Sequence, residues 1–221
     1  MKRFAAALSP QTEIALVLLA AFALPVTYSL LILTKVAALP ASDTRLLMGL
    51  AFEAVVLAIL GTILAARGWT LERLGIGKLT LQDAIDGVGL LAAAYLIPAM
   101  VLSILPPDIK QSITTAVPSI ALSGIGVALA LVATVLTPIF EEVFVVGYVF
   151  AALGDKNKAL ALNVSVALRL GYHLYQGAVA LIFVLPMAVV FAWWYSTRPS
   201  LWPLLIAHAG LSAIGFATQL S

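Results

Sequence analysis

The sequence predicts an all-α fold, a polytopic transmembrane bundle of about seven or eight helices. Of 221 residues, 63% are hydrophobic and only 10% are charged, with a mean hydropathy of +1.12. Soluble domains carry about 25% charged residues. Apolar runs of about twenty residues recur along the chain, the length a helix needs to cross a hydrocarbon core of about 30 Å. A soluble core of this size has no use for so much apolar surface. The implied location is a cell membrane, multi-pass, with the lipid bilayer itself as a partner. There are no cysteines, which excludes disulfides, a thiolate nucleophile and a thiolate metal site. The net charge of +2, with basic residues scattered through the loops, argues against a nucleic-acid partner.

The first span covers 14–34 with Pro25 inside it, where neighbouring helices can satisfy the freed carbonyl. Lys2 and Arg3 precede it, but the run is too long for a signal peptide and lacks a small-residue cleavage site. It reads as an uncleaved span. Asp43 and Arg45 mark a short loop before a second span at 46–66. Glu53 lies within two turns of that span's start and is expected to be interfacial rather than to line a cavity.

Residues 67–86 form the most polar segment, broken by Gly75 and Gly77. Trp69, Leu71, Leu74, Ile76 and Leu79 keep it partly apolar, so it reads as a loop with a short amphipathic piece on the membrane surface. A third span follows at 87–105 and ends at Pro106-Pro107-Asp108. Residues 118–153 would extend roughly 50 Å as one helix, more than one crossing requires. Pro138 lies in the middle, so one kinked helix and two shorter ones both fit. A loop at 154–158 leads to apolar stretches at 159–172, 177–195 and 201–218. The chain forms one membrane domain, 1–221, with N-terminal spans and a surface loop in 1–110 and the candidate site in 118–219.

Taking 118–153 as a single crossing, Lys2, Arg3, Arg67, Arg73, Lys78, Lys156, Lys158 and Arg198 share one side. Lys35, Arg45 and Lys110 share the other. Eight against three assigns the N-terminus to the cytoplasm by the positive-inside rule.

Glu141 and Glu142 sit inside a long apolar run. A charge at the bilayer centre costs about 3 kcal/mol on insertion scales and more in simulations, so such a pair points to function. The bland reading puts the pair at a helix end among lipid headgroups. Only two histidines exist, His173 and His208, both in downstream apolar segments. Ser165, Arg169, Tyr172, His173 and Gln176 fall at offsets of 0, 4, 7, 8 and 11, one face of a helix. The bland reading of that stripe is an interhelical hydrogen-bond seam. His208, Ser212, Gly215 and Gln219 repeat the spacing on the last helix.

Adjacent helical residues point about 100° apart, so one glutamate is expected to face a site while the other turns aside. Glu141 shares a stripe with Thr134, Thr137 and Tyr148, and Glu142 with Pro138 and Val146. Desolvated carboxylates beside histidines suit activation of water for amide hydrolysis. Two His with one or two Glu also match zinc ligands by type. If a metal is present, the expected ligands are Glu141, His173 and His208. The H-E-x-x-H signature is absent, and both metal-dependent and metal-free chemistry stay open.

The motif set resembles the CPBP intramembrane proteases, the CAAX-protease and bacteriocin-processing (Abi) family. Its E-E-x-x-x-R motif corresponds to Glu141-Glu142-Val143-Phe144-Val145-Val146. Its F-x-x-x-H motif corresponds to Arg169-Leu170-Gly171-Tyr172-His173, and its H-x-x-x-N/D motif to His208-Ala209-Gly210-Leu211-Ser212. The segment 70–86 also looks like the loop before the family's third span, so the likeness extends over most of 67–219. The resemblance implies a glutamate-dependent membrane endopeptidase with Glu141 or Glu142 as base, His173 and His208 completing the site, and residue 212 assisting at the oxyanion. Arg169, Tyr172 and Ser212 are the supporting residues. Val146 stands where the family has arginine, Ser212 where it has asparagine or aspartate, and Arg169 where it has phenylalanine. Arg169 is expected to replace the missing motif-one arginine by pairing with the glutamates from another helix. The expected substrate is a peptide or membrane protein, lipidated or not: a prenylated C-terminus, a leader peptide or an integral protein. The alternatives are a catalytically degenerate member with an immunity or scaffold role, and an ion-coupled carrier, which would require paired repeats not found in this chain.

Overall fold

The computed structural model describes residues 9–37, 42–116, 124–154 and 157–220. Lys2, Arg3 and Lys156, used above to orient the chain, lie outside these residues, as do Pro118 and Asp155. The described residues form eight α-helices and no strand. We number them α1 (Pro10–Leu33), α2 (Ser42–Ala66), α3 (Leu81–Ile104), α4 (Pro107–Ala116), α5 (Gly124–Glu141), α6 (Lys158–His173), α7 (Ala178–Thr197) and α8 (Trp202–Leu220). Five helical stretches are long and apolar enough to cross a membrane. The chain is a multi-pass membrane protein.

Local chemistry sets the helix starts. Ser9 accepts from the Thr12 amide at 3.2 Å, and Pro10 fills the first turn, where its missing N–H costs nothing. Thr80 and Asp83 form a reciprocal capping box, so α3 begins at Leu81, earlier than the apolar run alone suggests. Asp83 and Asp86 therefore belong to a helix rather than to the preceding loop. Asn157 caps α6 by accepting from the Leu160 amide at 3.0 Å.

The open choice over 118–153 resolves into one continuous element within the described residues. α5 runs through Pro138 and continues as π-helical turns over Glu142–Tyr148 and Phe150–Gly154. The resulting span, Gly126–Gly154, is the most buried of the five. It forms the centre of the bundle.

The segment between α2 and α3 departs from expectation. It is a series of turns, with no helical piece, because Gly68 and Gly75 adopt φ of +84° and +86°. It also folds inward instead of lying on the surface. Trp69 and Leu74 are buried, the Leu74 carbonyl accepts from Tyr195 at 3.2 Å, and the Gly75 carbonyl accepts from the Leu201 amide at 2.9 Å. The short amphipathic helix is instead α4, beyond Pro106.

Close helix approach depends on small residues. Gly87 of α3 lies against Ile206 and Pro203 of α8, and Gly210 of α8 lies against Leu91 of α3. A β-carbon at either would come within 2.8 Å of its neighbour. α1 packs mainly on α6 and the short 3₁₀ turn Leu174–Gln176, whereas α2 packs mainly on α5. α1 and α2 thus splay apart, and a cavity of about 440 Å³ opens between them.

Candidate active site

Both glutamates belong to one cluster, at the point where α5 passes into π-helical turns. A π turn closes i→i+5 bonds and so rotates less per residue than an α turn. Glu142 is fully buried and receives Arg169 Nη2 at 2.8 Å on Oε1 and 2.7 Å on Oε2. His208 Nδ1 lies 2.7 Å from Oε1 of the same carboxylate. Glu141 accepts from Tyr172 at 2.5 Å, lies 3.5 Å from Arg169 Nη1, and lies 4.0 Å from His208 Nε2. Both carboxylates thus meet Arg169 and His208, but only Glu141 lines the α1–α2 cavity. The π rotation carries Tyr148 off the Glu141 face; its hydroxyl donates instead to Glu13 at 3.3 Å.

Arg169 is the largest fully buried side chain. It projects from α6 into the gap between α5 and α8, with its Cζ 5.7 Å from the Phe191 ring centre. The expected pairing with the glutamates is present, and it ties α6 to α5. Phe191 is also edge-on to His208 at 6.4 Å, so one aromatic ring supports both the cation and the histidine. Phe191 carried no signal in the sequence, being an apolar residue in an apolar helix.

Tyr172 stacks on Phe22 with ring centres 5.5 Å apart, which fixes the direction of its hydroxyl. His173 ends α6, half-buried, with its ring 4.7 Å from Tyr172. Its Nδ1 lies 3.3 Å from Gln176 Nε2 in the following 3₁₀ turn. Ser165 is buried one turn before Arg169. Ser212 sits one turn beyond His208 and is half-buried; among the described hydrogen bonds, none ties it to the glutamates.

The cluster opens onto the α1–α2 cavity. Glu141, Tyr172 and His173 line its inner end, and Phe22, Met48 and Phe52 are among its apolar walls. Glu142 and Arg169 do not line it. Glu53 does, eleven residues into α2, with its Oε2 accepting from Thr137 Oγ1 at 2.8 Å. The expectation of an interfacial Glu53 fails because α2 begins at Ser42 and Thr137 of α5 supplies a partner inside the bundle.

Among the described residues, the donors that converge within 4.8 Å are Glu141, Glu142 and His208. This group includes Glu142 in place of His173, which belongs to the cavity wall. The arrangement does not suit zinc as it stands. Arg169 already engages both oxygens of Glu142, and a divalent ion bound there would lie against a guanidinium.

A family model described as type II CAAX prenyl endopeptidase Rce1-like matches residues 123–214. Over this stretch the chain is similar to the CAAX-protease family. The Rce1-like stretch contains α6, α7, most of α8 and the central π-helical span, and therefore all of Glu141, Glu142, Arg169, Tyr172, His173, His208 and Ser212. Segment 70–86, read above as resembling the family's loop, falls outside the match, and so does Glu53. No curated protein and no solved structure matches the chain. At the family level, the Rce1-like match supports a CAAX-protease-type intramembrane endopeptidase acting on a peptide substrate.

Proposed function

We propose that this protein hydrolyses a peptide bond inside the membrane with a water activated by Glu141. The observation that carries this reading is the division of labour between adjacent carboxylates. Glu141 borders the cavity, while Glu142 is sealed behind it against Arg169 and His208. A carboxylate facing His208 Nδ1 requires that nitrogen to carry the proton, which leaves Nε2 of the neutral ring free to accept. A water between Glu141 and His208 Nε2 would then donate to both. Glu141 takes the proton as the hydroxide attacks the peptide carbonyl and later returns it to the leaving amine. His173 and the Ser212 hydroxyl are the candidate donors to the developing oxyanion. Arg169, Glu142 and Tyr172 act as positioning residues. The eight-against-three distribution of loop cations supports a cytoplasmic N-terminus.

The rival reading is a non-catalytic membrane protein, favoured by Val146 and Ser212 at motif positions that the family fills with other residues. Purified protein in detergent, incubated with prenylated and unmodified peptides, separates the two. We expect cleavage that is lost in Glu141→Ala and Glu142→Ala and strongly reduced in His173→Ala. Cleavage unaffected by all three substitutions would refute the assignment, and absence of cleavage with every peptide would favour the rival.

A further inference from the structure

We propose that Glu53 is a specificity-determining residue that accepts a basic side chain of the bound peptide. The inference builds on the protease reading, because it takes the α1–α2 cavity as the peptide-binding cleft.

Arg45, Gly49 and Glu53 all line the cavity and follow one another at i, i+4 and i+8 along a single face of α2. Eight residues of helix separate Arg45 from Glu53 by about 12 Å along the axis. Arg45 thus lies toward the helix start, at the outer end of this face, and Glu53 lies deep, beside Thr137 and Glu141. Glu53 receives the Thr137 hydroxyl at 2.8 Å, and among the described residues no cation pairs with it. The guanidinium of Arg169 is committed to Glu142 and lies next nearest Glu141. The inner end of the cavity therefore presents two carboxylates among aromatic and aliphatic walls, Glu141 paired with Arg169 from behind and Glu53 with no cation among the described residues. A lysine or arginine side chain entering this space would give Glu53 a counter-ion while its aliphatic stem contacts Phe52 and Met48. An uncharged side chain of the same length would gain only the second contact.

The test measures equilibrium binding to the full-length protein in detergent. The probes are fluorescein-labelled eight-residue leucine–alanine peptides in which one lysine, norleucine or glutamate is moved along the chain. At one position the lysine peptide should bind about tenfold to a hundredfold more tightly than the norleucine peptide, as expected for a charge-assisted hydrogen bond. Glu53→Gln should abolish that preference and leave norleucine-peptide affinity unchanged, which also shows that the cleft is folded. Glu53→Lys should favour the glutamate peptide, and Glu53→Asp should retain part of the lysine preference. A wild-type protein without lysine preference at any position, or a preference that persists in Glu53→Gln, would overturn the proposal. The readout is independent of turnover. Lysine preference without cleavage of any peptide refutes the protease reading alone, and cleavage without lysine preference refutes the role of Glu53 alone.

Discussion

Replacing Arg169 by methionine should destabilise the protein by about 3–5 kcal/mol, the cost of removing one partner from a buried ion pair. The structure sets where in that range the effect falls. Arg169 and Glu142 are both 0% exposed and are joined at 2.7 and 2.8 Å, so water cannot replace the lost guanidinium. Glu142 would keep its contact with His208 at 2.7 Å, which offsets part of the loss and favours the lower half of the range. Methionine preserves much of the volume and the contact with Phe191, so the loss reports charge rather than a cavity.

The decisive measurement is a double-mutant cycle of Arg169→Met and Glu142→Gln, read by unfolding in detergent. Glu142→Gln alone strands the guanidinium and should also be costly. Together the two substitutions remove both charges, and the double variant should be more stable than the sum of the single losses by about 2–3 kcal/mol. Coupling below about 0.5 kcal/mol would refute the assignment of Arg169 as the counter-ion of the motif-one glutamates.

Four further outcomes follow from the same geometry. Tyr172→Phe keeps the stack on Phe22 but loses the bond to Glu141, and peptidase kcat/KM should fall about tenfold; unchanged kinetics would show that the hydroxyl does not position the base. Gly147→Ala puts a β-carbon 2.6 Å from the Leu74 carbonyl and 2.9 Å from Leu201. Because the nearer atom is backbone, stability should drop by about 1–3 kcal/mol in thermal unfolding, and an unchanged midpoint would contradict the packing. Peptidase activity should survive extended dialysis against a strong chelator, whereas loss that zinc restores would show that Glu141 and His208 bind a metal after all. In Val146→Arg/Arg169→Phe, which restores the family residues, unfolding in detergent should show greater stability than Arg169→Phe alone; lower stability would mean that residue 146 cannot deliver a cation to Glu142.

The apolar runs located the membrane helices, because span length is set by the bilayer and not by tertiary contacts. Helix starts were harder: the Thr80–Asp83 capping box extends α3 into a segment whose composition reads as loop. The 67–80 turns were misread because their apolar residues match an amphipathic helix, whereas the left-handed glycines bend the chain inward against α7 and α8. α4 is ten residues and largely polar, so hydropathy alone gave no sign of it. At the site, the Arg169–Tyr172–His173 face was legible from α-helical spacing because α6 is regular there. The convergence of Glu141 and Glu142 was not, since it depends on Arg169 and His208 reaching both carboxylates from other helices. Glu53 was misjudged because its environment comes from Thr137, 84 residues away.

Moving the cation from position 146 to position 169 changes what holds the site together. In the family motif, a glutamate and an arginine four residues apart can pair along one helix, so their contact depends mainly on local helical geometry. Here the pair bridges α5 and α6, and Glu142 must also meet His208 from α8. Three separate helices therefore have to assemble before the buried carboxylate is satisfied. Glu142 reaches that junction at the first π-helical residue, while Glu141, the residue before it, borders the cavity. Insertion of a single residue between Glu142 and Phe150, or a deletion that restores α-helical phasing, would shift Tyr148 and Gly147 from their contacts with Glu13 and Leu74 as well. The irregular helix is thus constrained from both ends, by a buried ion pair on one side and by the inward-folded 67–80 segment on the other.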